Sequence, residues 1–422
     1  MSARDHLQIE EHGVLRFLTA GSVDDGKSTL IGRLLYDTKT VLADQLAAVR
    51  RTSAQRGQVL DLSLLTDGLT AEREQGITID VAYRYFATAA RKFIIADAPG
   101  HEQYTRNMVT AASTAQLAIV LVDARHGVIK QTRRHATLAN LLGIPHLIVA
   151  INKMDLVDFR EEAYARIVTD FRAFAARAGI DDAKVRFVPM SALAGDMVVE
   201  RGDRLDWYSG PTLLDILEVA PLAAAAPHTS LRMPVQYVVR PAAGTRRSYQ
   251  GRVEAGTVTV GQAVTVLPSG RTSTVREILR YPDTVTEGRL HDPVAVTLAD
   301  EIDISRGDML VSTADAPVAV RALQATLCWF DERPLDRRRT YLLRHTTREV
   351  RARIDIIEHL WNVTTQTREP APETLAMNDI GDVTLTLAQP IVADRYDDNH
   401  VTGSFILIDE ATNATAAAGL IR

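Results

Sequence analysis

Asn152, Lys153, Met154 and Asp155 form a stretch able to tell one purine from the other. A carboxylate at Asp155 can accept hydrogen bonds from N1–H and the exocyclic amine of guanine, whereas adenine presents no such donor pair on that edge. Lys153 would lay its alkyl stem along the base. Taken alone, Asn and Asp here read equally well as a helix cap. Their company decides for a nucleotide. Gly21, Ser22, Val23, Asp24, Asp25, Gly26, Lys27 and Ser28 fit G-x-x-x-x-G-K-[ST], with Thr29 opening a run of helical spacing behind them. In that pattern backbone N–H groups cradle phosphates, the lysine reaches the β and γ phosphates and the serine hydroxyl ligates Mg²⁺. The expected ligands are GTP and Mg²⁺.

Three further segments supply the remaining parts of such a site. Asp97, Ala98, Pro99, Gly100 and His101 follow an apolar run. The Asp97 carboxylate can hold Mg²⁺ through water, the Gly100 N–H can contact the γ-phosphate, and His101 is placed to orient an attacking water. In isolation this is a turn with a satisfied histidine; beside the other motifs it reads as a switch that loses its tether when the γ-phosphate leaves. Lys27, Gly100 and His101 are the expected catalytic group. Thr78 lies between the phosphate loop and Asp97, where its hydroxyl would complete a metal shell of Ser28, Thr78 and Asp97. Ile77, Thr78 and Ile79 would also start an ordinary strand, and order along the chain favours the switch. Ser191 and Ala192 follow another apolar run, and their amides are expected to face guanine O6.

These residues need a scaffold that brings distant segments together. Short apolar runs at 15–20, 93–96, 117–122, 146–151 and 185–188 alternate with helical segments over the first ~220 residues, the pattern of a mostly parallel, doubly wound α/β sheet. Four chemically loaded segments begin where such runs stop, at Gly21, Asp97, Asn152 and Ser191, and ligands of open α/β sheets bind at the carboxyl ends of strands. A helix-like stretch over 208–217 closes this region, and 223–230 reads as a linker. Beyond 233 the texture changes to short alternating runs broken by glycine, at 235–239, 251–253, 256–261 and 263–267, as in a compact β barrel. A second β-rich block begins near 322, with candidate strands at 325–330, 340–343, 349–357, 382–387 and 403–408. The expected domains are 1–228, 229–321 and 322–422.

Composition sets outer bounds. The 422 residues carry 48 basic and 53 acidic side chains, a net charge of −5, which gives no global footprint for nucleic acid. Residues 1–11 are polar and no apolar run is long enough to span a bilayer, so a soluble cytoplasmic protein is expected. The single cysteine, Cys328, rules out an intrachain disulfide and a cysteine-based zinc cluster, and is expected to be a buried small hydrophobe.

The chain resembles the translation-factor-type GTPases of the elongation factor Tu group, which implies a P-loop GTPase domain followed by two β barrels. Within that group it is closest in pattern to the CysN family, the GTPase large subunits of bacterial sulfate adenylyltransferase. GSVDDGKSTLIGRLLYDTK from Gly21, EREQGITIDVAYRYF from Glu72, HEQYTRNMVTAAS from His101, YLLRHTTREVRARI from Tyr341, MNDIGDVTLTLAQPIV from Met377 and DRYDDNHVTGSFILID from Asp394 carry this resemblance across nearly the whole chain. It departs from elongation factors at Asp25, where they carry histidine; a carboxylate beside a triphosphate is repelled unless it turns away or is paired, so Asp25 is expected to serve loop geometry or a partner. Ala98 stands where that family more often has threonine. The resemblance implies a small CysD-type partner subunit that binds ATP and sulfate and makes adenosine 5′-phosphosulfate and pyrophosphate, driven by GTP hydrolysis in the present chain. Some chains of that family carry an adenylyl-sulfate kinase domain with its own phosphate loop; no second such motif is present here, so a separate kinase is expected if the pathway proceeds to the doubly phosphorylated product. The competing expectation is an elongation-factor-like carrier of aminoacyl-tRNA.

Overall fold

The computed structural model describes residues 13–55, 60–66, 80–101, 105–222, 230–240, 246–362, 365 and 367–422. Thr78 and the linker at 223–229 lie outside them. Two compact units emerge, 1–223 with 363–366, and 224–362 with 367–422.

The first unit is built on a six-stranded sheet of β1 (Val14–Ala20), β2 (Ala82–Ala87), β3 (Lys92–Asp97), β4 (Leu117–Asp123), β5 (Leu147–Asn152) and β6 (Val185–Pro189), ordered β2-β3-β1-β4-β5-β6. All neighbours are parallel except β2, which runs antiparallel to β3. Every residue of β4 and β5 is buried. That explains their unbroken apolar sequences, because helices cover both faces of a parallel sheet. The helices are α1 (Lys27–Asp37), α2 (Ala43–Gln55), α3 (Thr105–Ala112), α4 (Lys130–Leu141), α5 (Glu161–Arg177) and α6 (Leu213–Val219).

At the β2 edge the register pairs Phe86 with Phe93, whose rings stack 4.5 Å apart, and Phe17 of β1 meets them edge-on at 6.3 and 6.5 Å. The same register pairs Ala82 with Asp97, so the chain enters β2 and leaves β3 at the same end of the sheet.

The helix expected over 208–217 begins instead at Leu213. Thr212 and Asp215 form a reciprocal capping box that sets the start. Tyr208 is held outside the helix, its ring beside Tyr164 and Trp207 and its hydroxyl donating to the Phe187 carbonyl at 3.0 Å. Buried Arg91 donates to the Leu217 and Ala220 carbonyls at 3.1 and 2.6 Å, satisfying the far end of α6.

The second unit holds two closed six-stranded barrels. In the first, β7 (Arg232–Val239), β8 (Ser248–Arg252), β10 (Ala263–Leu267), β11 (Arg271–Arg280), β14 (Pro293–Leu298) and β15 (Met309–Ser312) close through the β10–β11 pairing. β12 (Asp283–Val285) extends this sheet beside β11, while β9 (Val258–Thr259) and β13 (Glu287–Gly288) form a small ribbon. In the second, β16 (Val320–Trp329), β17 (Tyr341–His345), β18 (Arg348–Asn362), β20 (Ile380–Ile391), β21 (Ser404–Asp409) and β22 (Thr415–Ile421) close through β17–β18, with β19 (Thr367–Pro370) appended to β18. Cys328 is buried in β16.

Arg232 of the first barrel and Asp394 beyond β20 form a buried ion pair at 3.0 Å that joins the barrels. Ser230 accepts from the same guanidinium at 2.8 Å, and Thr402 donates to the carboxylate at 2.6 Å. A small apolar cluster of Leu267, Met309, Val311 and Val392 lies beside this joint. Removing one member of a buried pair strands the other charge, so Asp394→Ala is expected to cost about 3 kcal/mol, whereas Arg232→Met combined with Asp394→Leu should recover most of it. Urea unfolding checks this; equal losses in the single and double variants would contradict it.

Candidate nucleotide site

The sheet order places the expected residues at adjacent carboxyl ends. Thr19 of β1 is the register partner of Asp97 of β3, and Asp123 of β4 is the partner of Asn152 of β5. Gly21 follows β1 directly, and Ser191 lies two residues beyond β6.

The phosphate loop is drawn tight around its own lysine. Lys27, only 7% exposed, donates to the Gly21 and Ser22 carbonyls at 2.9 and 3.1 Å. Gly26 caps α1 with φ 93°, and a Cβ there would fall 2.5 Å from the Asn152 amide nitrogen. Gly100 backs onto the same loop: a Cβ would sit 2.6 Å from the Gly21 carbonyl oxygen and 2.7 Å from the lysine nitrogen. These two positions demand glycine because loop, lysine and switch segment meet with no side-chain volume to spare. Ala98, also buried, donates its N–H to the Thr19 carbonyl at 3.2 Å, and Pro99 is buried beside it. His101 stands exposed at the rim.

Asp25 is buried and turns back into the loop, its carboxylate accepting from the Ser22 N–H at 2.6 Å. Burial raises its pKa above the ordinary value against the pull of that N–H and of Lys27. Burial also lowers the Lys27 pKa, while Asp97, Asp25 and Asp24 act to raise it. A desolvated ammonium at the N-terminus of α1 fits a polyphosphate, which would supply the charge that the carbonyls lack. The Asp97 carboxylate accepts from the Thr19 hydroxyl at 3.3 Å. With the Ser28 hydroxyl, Asp97 offers the hard oxygen donors that Mg²⁺ takes when phosphates complete its shell.

Asn152 ties the base end to the phosphate end. Only 2% exposed, it donates to the Asp25 carbonyl at 2.8 Å and accepts from the Ala192 N–H at 2.9 Å. The Ser191 N–H donates to the Asp196 carbonyl at 3.2 Å, so in this conformation both amides expected at guanine O6 are engaged within the protein. Ser191 instead presents its hydroxyl to Asp155, donating at 2.5 Å and fixing the carboxylate expected at the base edge. Met154 is wholly buried, its N–H on the Met190 carbonyl at 3.1 Å. Lys153 reaches across to the Asp24 carbonyl and pairs with Asp123 at 3.0 Å. Burial opposes ionisation of Asp123, yet hydrogen bonds from Arg125 and Lys153 hold its carboxyl below the usual range.

Several residues at this site escaped the motif reading. Gln131 of α4 donates one amide hydrogen to the Gly100 carbonyl at 2.8 Å and lies 3.0 Å from Nε2 of His135, one helical turn on. The second amide hydrogen fits an Nε2 acceptor, which places the imidazole proton on Nδ1. Their i, i+4 spacing was visible, but a Gln and a His on a helix carry no meaning without the carbonyl they face. Arg33 of α1 reaches the loop after β6, with its Nε on the Ala192 carbonyl at 3.1 Å.

Residues 12–226 match the elongation factor Tu GTP binding domain, and 322–422 match the GTP-eEF1A C-terminal domain-like family. The chain is 52% identical over 417 residues to a sulfate adenylyltransferase subunit 1 of Cellvibrio japonicus, covering 98% of this chain and 88% of that one. It is 53% identical over 413 residues to a bifunctional enzyme CysN/CysC of Mycobacterium tuberculosis, covering 97% and 67%. A sulfate adenylyltransferase subunit 1 of Citrobacter koseri is 49% identical over 98% of this chain and 87% of its own.

Burial, helped by the charges of Lys27 and Arg134, drops the His135 pKa to about 3 from an ordinary 6.5. The fold keeps this ring neutral while the unfolded chain protonates it near 6.5. Stability is therefore whole above that pH and drains as pH falls towards the folded value. His135→Gln should lose less stability than the parent between about pH 6 and 4, read by thermal unfolding across pH. Parallel profiles would count against a neutral buried imidazole.

Proposed function

Because this chain belongs to the sulfate adenylyltransferase subunit 1 family of elongation factor Tu-type GTPases, we propose that it binds and hydrolyses GTP to drive adenylyl transfer from ATP to sulfate. The products are adenosine 5′-phosphosulfate and pyrophosphate, formed in a small CysD-type partner subunit that holds ATP and sulfate. The observation that carries this reading is the extent of the similarity, which runs through both barrels instead of stopping at the nucleotide domain. The assembly works in the cytoplasm.

In the present chain Lys27 and the amides of residues 21–29 bind the triphosphate, and Asp155 reads the guanine edge. Ser28 and Asp97, with Thr78, would hold Mg²⁺, which when bound would neutralise charge on the phosphate oxygens. Gly100 senses the γ-phosphate through its N–H, and His101 orients the attacking water. Asp25, folded onto Ser22, serves the geometry of the loop.

The decisive assay follows pyrophosphate release from ATP and sulfate by the chain paired with its small subunit, with and without GTP. GTP should raise product formation, and Lys27→Ala should remove that increase; a rate indifferent to GTP would sink the coupling. In the base pocket, Asp155→Asn replaces an acceptor by an amide that can donate to the 2-carbonyl of xanthine. It should shift preference from GTP to XTP by at least about tenfold, and unchanged dissociation constants for the two nucleotides would refute the base-edge assignment.

A further inference from the structure

Arg33 sits in the second turn of α1, five residues beyond Ser28. Its guanidinium points at the loop that follows β6. Nε donates to the Ala192 carbonyl at 3.1 Å, and one terminal nitrogen donates to the Leu193 carbonyl. The other lies 3.6 Å from Asp37 on the same helix. A Cβ added at Gly195 would meet the guanidinium at 3.6 Å, so the turn runs alongside it.

This loop also holds the base-edge acceptor. Ser191 donates its hydroxyl to Asp155 at 2.5 Å and accepts from the Ala194 N–H at 3.2 Å. The Gly195 N–H returns to the Ser191 carbonyl at 2.7 Å, making a compact turn. Two consecutive carbonyls of that turn are thus held from the α1 side, while its hydroxyl holds Asp155. A planar guanidinium with donors in a fixed fork suits two carbonyls of fixed separation; an ammonium on a flexible stem does not.

We propose that Arg33 is a positioning residue for base selection: from the helix that begins at the phosphate loop, it clamps the turn at 191–195 so that Ser191 holds Asp155 against the guanine edge. This rests on the reading of Asp155 as that acceptor. Arg33 and Asn152 are then two separate ties between phosphate binding and base reading, one through a helix side chain and one through the loop backbone.

The test compares dissociation constants for GTP, ITP and ATP in the full-length parent, Arg33→Met, Arg33→Lys and Asp155→Ala. ITP lacks the 2-amino group that Asp155 accepts from, so the GTP preference over ITP reports that contact alone. Arg33→Met should reduce this preference about tenfold and leave ATP binding nearly unchanged, with Arg33→Lys intermediate. Equal weakening of all three nucleotides, the mark of a merely structural role, would overturn the proposal. So would an unchanged preference. If Arg33→Met does not fold, Arg33→Lys carries the same readout, and its retaining the parental preference refutes the clamp. Should Asp155→Ala keep the parental preference, the base-edge reading falls and the proposal with it; should Asp155→Ala abolish the preference while the Arg33 variants retain it, the clamp alone falls.

Discussion

The site depends on one buried carboxamide. Asn152 donates to the phosphate loop at Asp25 and accepts from Ala192 in the loop expected to face the base, so a single planar group sets the spacing between the two ends of the expected nucleotide. Both bonds are shielded from water, where an unmet partner costs more than the bond gains. The glycine at 26 follows from it, since any side chain there would strike the amide nitrogen. The parallel sheet supplies the precision, delivering Asn152 at the end of a fully buried strand in register with Asp123.

Around this carboxamide the protein concentrates charge in a dry place. Lys27, Asp25, Asp97 and Asp123 are all buried within a few residues of strand ends. Lys27 leans on carbonyls and Asp25 on a backbone N–H, while Asp123 is compensated by two cations. His135 answers the same environment by staying neutral. A loop whose charges are only partly met is ready for a polyanion, because binding relieves a cost that the empty fold carries.

The parallel strands of the first unit were legible because both of their faces are covered, so burial writes itself as an unbroken apolar run. β22 was not: Thr415–Ile421 is rich in alanine, a poor strand former, and becomes a strand through its pairing with β16 and β21. β2 was obscured for the opposite reason, since its Tyr83 and Tyr85 face outward. In the site, the contiguous motifs were readable because each lies within one short segment, and the sheet brings those segments to adjacent strand ends. Arg33, Gln131 and His135 were not, as the first two act on carbonyls 159 and 31 residues away, and a carbonyl has no residue type to recognise. The early onset assigned to α6 failed because the capping pair of Thr212 and Asp215 outweighs the helical look of the residues before it.

The pairing of Ala82 with Asp97 has a mechanical meaning. A hairpin with both feet planted at one sheet end cannot move one foot without levering the other, and its stacked phenylalanines stiffen the shaft. The entry to β2 and the exit from β3 are thereby one register pair, at the strand end that carries Asp97.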